Sequence, residues 1–407
     1  MFSDVLPIKK ILPLSDEAPI TYDLRLAIPL MAAFSDDSIK DDVWNWILTN
    51  YTQLVCKNKI NNNIPYNFLH VYDPYKPFIK RKFERHYRYF WKNPEKTLNY
   101  IIKKISLGHY VHLKMDRYFL KGFEGYNVRH IMHTECIYGY DLNRKELYVI
   151  GYLNLSKASL KTIVISFDDF LIAFESFLHQ KLSHTITFDK INSEFKYQIN
   201  YKKMAIGLKN YIDSKMSFEY IFESNIKKYS VFSWDFPIKC SFGCSSINNI
   251  SNMLLLNVNY NRQSKIKIIL QAVLEFHRIM LKRIDYFYNQ GIIDVNIKRE
   301  YEAIVTQYET IKFLYLKYMV RKDSNLIQRI AEQLNATNKK SKDLLNFVLT
   351  KIDNCDESCG VIFNNVHNGI SKKVFVVFKL FVLTIFIIMR ELYINIKEII
   401  FQKNLFK

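Results

Sequence analysis

The spacing of apolar residues divides the sequence into a mixed first part and a helical second part. After an extended lead-in at residues 1–20, apolar residues follow helical periodicity to about residue 54 and again at residues 94–105, and residues 64–80 between them predict strand and loop. They alternate as in half-buried strands between residues 108 and 152, and return to helical periodicity beyond residue 264. The predicted helices cover residues 24–32, 41–54, 94–105, 166–178, 201–215, 268–287, 295–319 and 324–353. This order predicts an α+β fold, in which helices on a small antiparallel sheet are followed by an α-helical domain.

The stretch at residues 130–152 predicts a β-hairpin. Apolar and aromatic residues dominate residues 137–140 and 147–152, and the polar residues 141–145 between them favour a turn. His133 stands at the entry to the first strand, six residues before Gly139. A strand holds its side chains rigidly, so this imidazole could serve as a general base facing a cleft. The alternative is that His133 is a polar residue at a strand start without a chemical role.

Four short motifs occur in an order that is similar to one protein family. They are the helix end at residues 46–54 (WILTNYTQL), the strand at 111–120 (VHLKMDRYFL), the hairpin with its H-x5-G-Y-D run, and the helix start at 165–170 (ISFDDF). In these motifs the chain resembles the N-terminal domain family of butirosin biosynthesis protein H, which is related to bacteriocin-processing cysteine peptidases. The resemblance spans roughly residues 5 to 350.

The resemblance implies a papain-like lobe in residues 1–190, with His133 on the sheet facing the N-terminus of the helix near Asp23. A mostly α-helical domain at 191–355 and an apolar extension at 356–407 complete the predicted organisation. The family's activity implies an accessory protein of peptide or secondary-metabolite biosynthesis, which handles an acyl group carried on a protein.

Two members of a papain-like triad are missing from the sequence. Residues 20–24 read ITYDL where relatives carry the nucleophilic cysteine, and Gly151 stands where the family often has an acid. Without a thiolate no acyl-enzyme can form, so the chain is predicted to be a pseudoenzyme or to transfer an acyl group non-covalently. Asp116 and Asp141 are the nearest acids by motif and complete the candidate site with His133. For both aspartates a turn or structural role is the competing interpretation.

The net charge of +19 and the isoelectric point of about 9.4 predict attraction to polyanions. The densest basic run, at residues 80–88, is predicted to lie on one helix, where a solvated face is the simplest interpretation. No nucleic-acid-binding module is recognised in the sequence. An acidic acyl or peptidyl carrier protein is therefore preferred to nucleic acid as the partner.

The six cysteines are few for a chain of 407 residues, and no secretory signal begins it, which predicts reduced thiols and a cytoplasmic protein. Two C-x3-C pairs, Cys240 with Cys244 and Cys355 with Cys359, invite a zinc interpretation. Their spacing differs from that of structural zinc knuckles, and the pairs are more than a hundred residues apart. We predict neither a metal nor a cofactor.

The apolar run at residues 374–389 is interrupted by Lys379. As a helix it would reach about 24 Å, short of a hydrocarbon core of about 30 Å. A packed or partner-binding helix is the preferred prediction, and contact with a membrane through this segment is the alternative. The first functional hypothesis is thus a biosynthetic accessory protein, and the second is a non-catalytic scaffold that the C-terminal segment attaches to a membrane.

Overall fold

The computed structural model describes residues 6–61, 64–71, 76–85, 93–153, 160–180, 185–215, 240–256 and 263–359. In the described part of the chain, residues up to Ile352 belong to one compact unit, and a second begins at Asp353. The division predicted near residue 190 stays a prediction. The mixed α+β class is confirmed, since antiparallel sheets with helices are followed by a helical C-terminal region.

Nine helices and ten strands lie in the described ranges. The helices are α1 (Leu24–Phe34), α2 (Lys40–Asn50), α3 (Pro94–Ser106), α4 (Phe167–His179), α5 (Tyr201–Ile212), α6 (Gly243–Leu256), α7 (Gln263–Asn289), α8 (Val295–Arg321) and α9 (Ser324–Cys359). The strands are β1 (Lys9–Ile11), β2 (Leu54–Asn61), β3 (Ile64–Val71), β4 (Ile79–Arg85), β5 (Tyr110–Asp116), β6 (Met132–Asp141), β7 (Glu146–Tyr152), β8 (Leu160–Ser166), β9 (Thr185–Ile191) and β10 (Cys240–Phe242).

The larger sheet is fully antiparallel and carries the predicted hairpin. Its strands run in the order β4-β9-β5-β6-β7-β8, and β1 pairs with the end of β6. A smaller sheet pairs β10, β2 and β3. The hairpin prediction is confirmed by β6 and β7, which shift register at a bulge between Ile137 and Gly139. Residues 185–191, for which no strand was predicted, form the strand that joins β4 to β5.

Local capping explains where two of the predicted helices begin. The Asp23 side chain accepts a hydrogen bond from the Arg25 amide at the start of α1, and the Ser166 hydroxyl accepts one from the Asp169 amide at the start of α4. Both helices begin within one residue of the starts predicted from the sequence. The helix predicted over residues 80–88 is wrong, because residues 79–85 form the edge strand β4. Residues 86–88 lie outside the described residues.

Helix α7 joins the helical region to the first helices of the chain. Arg283 is fully buried and donates hydrogen bonds to the carbonyl oxygens of Leu48 (2.7 Å), Ile47 (3.1 Å) and Tyr51 (2.6 Å) at the C-terminus of α2. The Leu48 and Tyr51 carbonyls lie at the helix end, where a helix leaves carbonyls without partners, and the Ile47 carbonyl also accepts the Tyr51 amide at 2.9 Å. The apolar side of α7 is buried, and His277 lies in the core with 0% of its surface exposed.

Candidate functional site

His133 lies near the start of β6, beside Met115 of β5, with 28% of its side chain exposed. Its Nδ1 atom is 2.8 Å from Oε1 of Glu135. The two residues are two positions apart on one strand, so their side chains project from the same face of the sheet. An imidazole held by a carboxylate on Nδ1 is the arrangement that orients a general base.

Glu135 is fully buried and forms an ion pair with Arg117, which follows β5 and is also fully buried. Arg117 Nε lies 2.6 Å from Glu135 Oε1, and the guanidinium carbon lies 4.7 Å from the centre of the Phe123 ring. Arg117 Nη2 also lies 3.0 Å from His133 Nδ1. Three residues from two neighbouring strand ends therefore form one connected polar cluster, which we call the His133 cluster: Arg117, His133 and Glu135.

Gly151 makes room for the carboxylate of this cluster. A Cβ atom at position 151 would lie 1.9 Å from Glu135 Oε2 and 3.0 Å from the Phe123 ring. The resemblance places an acid at position 151, on the strand beside His133. In the structure Glu135 of the neighbouring strand occupies the space above Gly151, so the carboxylate reaches His133 from a different position in the sequence.

Asp116 belongs to a second histidine–carboxylate pair. It is fully buried and accepts hydrogen bonds from Ser176 Oγ (2.7 Å) and the Tyr118 amide (3.1 Å), and its Oδ2 lies 2.6 Å from His130 Nδ1. Burial by itself would raise the pKa of Asp116, but the hydrogen bonds from His130 and Ser176 outweigh it and lower that pKa. Asp116, a candidate site residue from the sequence, therefore lies against His130 rather than His133.

His130 is more exposed than His133, with 55% of its side chain accessible. Its ring stacks on Tyr118 at a centroid distance of 4.5 Å. His130 and His133 are three residues apart, and each has Nδ1 against a buried carboxylate. Sequence reasoning missed Glu135, His130, Arg117 and Ser176. The H-x-E spacing of residues 133–135 was a usable signal for the first of them, because alternate strand residues share a face.

Asp141 is a turn residue remote from His133. It ends β6, eight positions from His133, which is about 26 Å along an extended strand. The Arg144 amide donates to it at 3.1 Å and Lys9 Nζ lies 3.4 Å away. The hydrogen bond from the Arg144 backbone, with the help of Lys9, lowers the pKa of Asp141. The structural interpretation left open from the sequence is the one that the geometry supports.

The residues just before α1, where a papain-like nucleophile would stand, are bound by Glu275 of α7. Its Oε2 atom accepts the Thr21 and Tyr22 amides at 3.0 and 3.3 Å, and its Oε1 accepts the Thr21 hydroxyl at 2.5 Å. The hydroxyl of Tyr152 donates to the Thr21 carbonyl at 2.5 Å. Burial raises the pKa of Glu275 and of Tyr152.

The register of the sheet separates His133 from this helix terminus. Gly151 faces Glu135, and Tyr152 follows Gly151, so Tyr152 projects from the opposite face. Since Tyr152 is the residue that meets Thr21, the helix terminus lies on the face away from the His133 cluster. The resemblance implied that His133 faces the N-terminus of the helix near Asp23. The strand register instead places His133 and this helix terminus on opposite faces of the sheet.

The cysteines whose side chains the structure describes are unsuited to nucleophilic chemistry. Cys56, Cys136 and Cys244 are free and buried. Burial raises the pKa of Cys136 well above its ordinary value and that of Cys244 to about 11, so neither is a thiolate at neutral pH. Within the described ranges no three His, Cys, Asp or Glu side chains are grouped so as to hold a metal ion.

No protein-family model and no curated protein matches this sequence. Of the helices in the described part of the chain, none is long and apolar enough to cross a bilayer. The apolar run at residues 374–389 lies outside the described residues, so its packed and membrane-bound alternatives both stay predictions.

Proposed function

We propose that this protein is an accessory factor of peptide or secondary-metabolite biosynthesis that transfers an acyl group without a covalent intermediate, with His133 as the general base. The observation that carries the proposal is the contact of His133 Nδ1 with the buried carboxylate of Glu135 at 2.8 Å. The family resemblance supplies the reaction class and the acidic carrier protein as the acyl donor. The papain-like relationship stays a prediction that rests on that resemblance.

The tautomer of His133 decides whether it acts as a base. A proton on Nδ1 is donated to Glu135 and leaves the lone pair on Nε2, whereas a hydrogen bond accepted from Arg117 at 3.0 Å would place the proton on Nε2. The proposal takes the first arrangement, since the contact with the anionic carboxylate is the shorter of the two and is charge-assisted. Nε2 then points its lone pair away from the cluster.

In the proposed reaction, an acceptor amine attacks the carbonyl carbon of a carrier-bound thioester. The new C–N bond forms as His133 Nε2 takes a proton from the amine nitrogen. The C–S bond then breaks, and the imidazolium returns the proton to the leaving thiolate. Glu135 stabilises the imidazolium between these two steps, as a carboxylate on Nδ1 does in other histidine bases.

One further observation supports a route without an acyl-enzyme. The described cysteines are buried, and none belongs to the His133 cluster.

The test uses an aminoacyl thioester of N-acetylcysteamine with a primary amine, and measures the release of free thiol. We expect the full-length protein to accelerate release, His133→Ala to abolish the acceleration, and added imidazole to restore part of it. Asp141→Asn is the matched control and should retain full activity, because Asp141 lies at the far end of β6. A mass spectrum that shows acylated protein during turnover, or equal activity of His133→Ala and the wild type, contradicts the proposal.

A non-catalytic scaffold is the second candidate. It is favoured by the contact between Arg117 Nη2 and His133 Nδ1, since an imidazole that accepts from Arg117 serves to close a buried ion pair. Nitrogen chemical shifts of the labelled His133 ring separate the two candidates. A proton on Nδ1 at neutral pH supports the base, and a proton on Nε2 supports the scaffold.

A further inference from the structure

Lysines cluster on one face of the sheet, at the edge formed by β4. The pairing of β4 with β9 sets Lys80 opposite Lys190 and Lys82 opposite Phe188. Opposed residues share a face, and so do residues two apart, so all three lysines project from the face that carries Phe188. Lys82 and Lys190 are exposed, and 60% of the Lys80 side chain is exposed.

Lys104 near the C-terminus of α3 and His109 just after that helix add two more basic groups to this face. Lys104 Nζ lies 4.9 Å from the centre of the Tyr100 ring and 5.2 Å from that of Phe188. The His109 ring meets the edge of Phe188 at 6.4 Å. We call this set the lysine face: Lys80, Lys82, Lys104, His109 and Lys190.

Positive charge on the lysine face is only partly balanced. Burial and then the charges of Lys104, Lys190 and Lys82 lower the pKa of His109. Among the described residues no ion pair involves Lys82 or Lys190, and the pair of Lys80 with Glu194 is long, at 3.6 Å. Asp189 precedes Lys190 and so projects from the other face, where it forms an ion pair with Arg81 at 2.6 Å and lies 3.1 Å from His112 Nε2.

We infer that the lysine face is a docking surface for a protein that presents a row of carboxylates. Lysines two apart on a strand are about 6.6 Å apart and neighbouring strands about 4.8 Å apart, so the charges spread over more area than one small anion covers. Arg81 is the arginine of β4 whose side chain the structure describes. Its guanidinium forms two hydrogen bonds with Asp189 and so cannot bind a phosphate in the same two-pronged way. Phe188 is fully buried beneath the lysines and offers no ring for base stacking. The inference is independent of the proposed acyl transfer.

The test compares full-length Lys82→Ala/Lys190→Ala with the control Lys339→Ala/Lys340→Ala, which removes two exposed charges from α9. The probes are a fluorescent helical peptide with a row of glutamates, a single-stranded oligonucleotide and inorganic phosphate. We expect the wild-type protein to bind the peptide with an affinity that falls as salt is added. The Lys82/Lys190 variant should bind the peptide about tenfold more weakly or worse, and the control should bind it as tightly as the wild type does. Thermal unfolding verifies that both variants fold.

His109 provides a second measurement in the wild-type protein. A bound row of carboxylates offsets the lysine charges, so the peptide should raise the pKa of His109. The chemical shift of the C2 proton of the His109 ring, measured against pH, reports this pKa. Equal peptide affinities of the two double variants would overturn the inference. Tighter binding of the oligonucleotide or of phosphate than of the peptide, lost in the Lys82/Lys190 variant alone, would overturn the choice of partner. Because none of these measurements uses a thioester, failure here is distinguishable from failure of the proposed function.

Discussion

The carboxylate of Glu135 lies directly against the backbone of Gly151 on the neighbouring strand. A Cβ atom added at position 151 would lie only 1.9 Å from Oε2 of Glu135. Glycine at this position therefore leaves space for the buried carboxylate that orients His133, and substitutions at these positions should affect one another.

Gly151→Ala should displace Glu135 and destabilise the protein by roughly 1 to 3 kcal/mol, as overpacking of a buried site does. Urea unfolding measures the change. In a Glu135→Ala background the same methyl group has no carboxylate to displace, so the two losses should not add. Additive losses would show that the two side chains do not meet.

Glu135→Gln should destabilise the fold by about 3 kcal/mol, because it leaves the buried Arg117 guanidinium without its counter-charge. Glu124→Gln is the matched control, since 63% of the Arg129 side chain in its ion pair is exposed and the pair should be worth less than about 1 kcal/mol. Chemical denaturation of both variants checks the comparison. A loss for Glu135→Gln no greater than that for Glu124→Gln would contradict the geometry.

Asp116 should contribute stability that disappears in acid. Its pKa is lowered in the folded protein, so its contribution is present above the unfolded-state value of about 3.9 and is lost as the pH falls through the folded pKa. The free energy of unfolding of Asp116→Asn should therefore vary less with pH below about pH 4 than that of the wild type. Ser176→Ala removes one hydrogen bond to the carboxylate and should reduce the dependence in part.

His277 should make the free energy of unfolding depend on pH in a higher range than Asp116 does. Burial lowers its pKa to about 3, and Nδ1 lies 2.9 Å from the Tyr301 hydroxyl. The unfolded chain binds a proton at His277 below about pH 6.5 while the folded chain does not, so stability falls as the pH decreases between these values, by up to about 1.4 kcal/mol per unit. His277→Gln should be less stable at pH 7 but should lose less on acidification to pH 4. Parallel curves for the two proteins would contradict the burial of a neutral imidazole.

Local sequence determined the hairpin and the helix starts. The turn-favouring residues between two apolar runs define β6 and β7, and the side chains of Asp23 and Ser166 satisfy amides only a few residues away. Such features depend on neighbours in the chain, so pattern reasoning finds them. The error at residues 79–85 has the opposite origin. That basic segment is an edge strand because it pairs with β9, which is about a hundred residues further along the chain. Neither segment contains a local pattern that predicts this pairing.

The sequence by itself determined that His133 enters a strand of an α+β fold and that no cysteine stands at the start of α1. Only the tertiary structure decided which carboxylate binds which histidine: Glu135 rather than Asp116 binds His133, and Asp116 binds His130. It also brought Glu275 to Thr21, 254 positions away. The physical reason is that these contacts join separate strands and helices, whose register and packing are set by the burial of apolar surface over the whole unit rather than by any local motif.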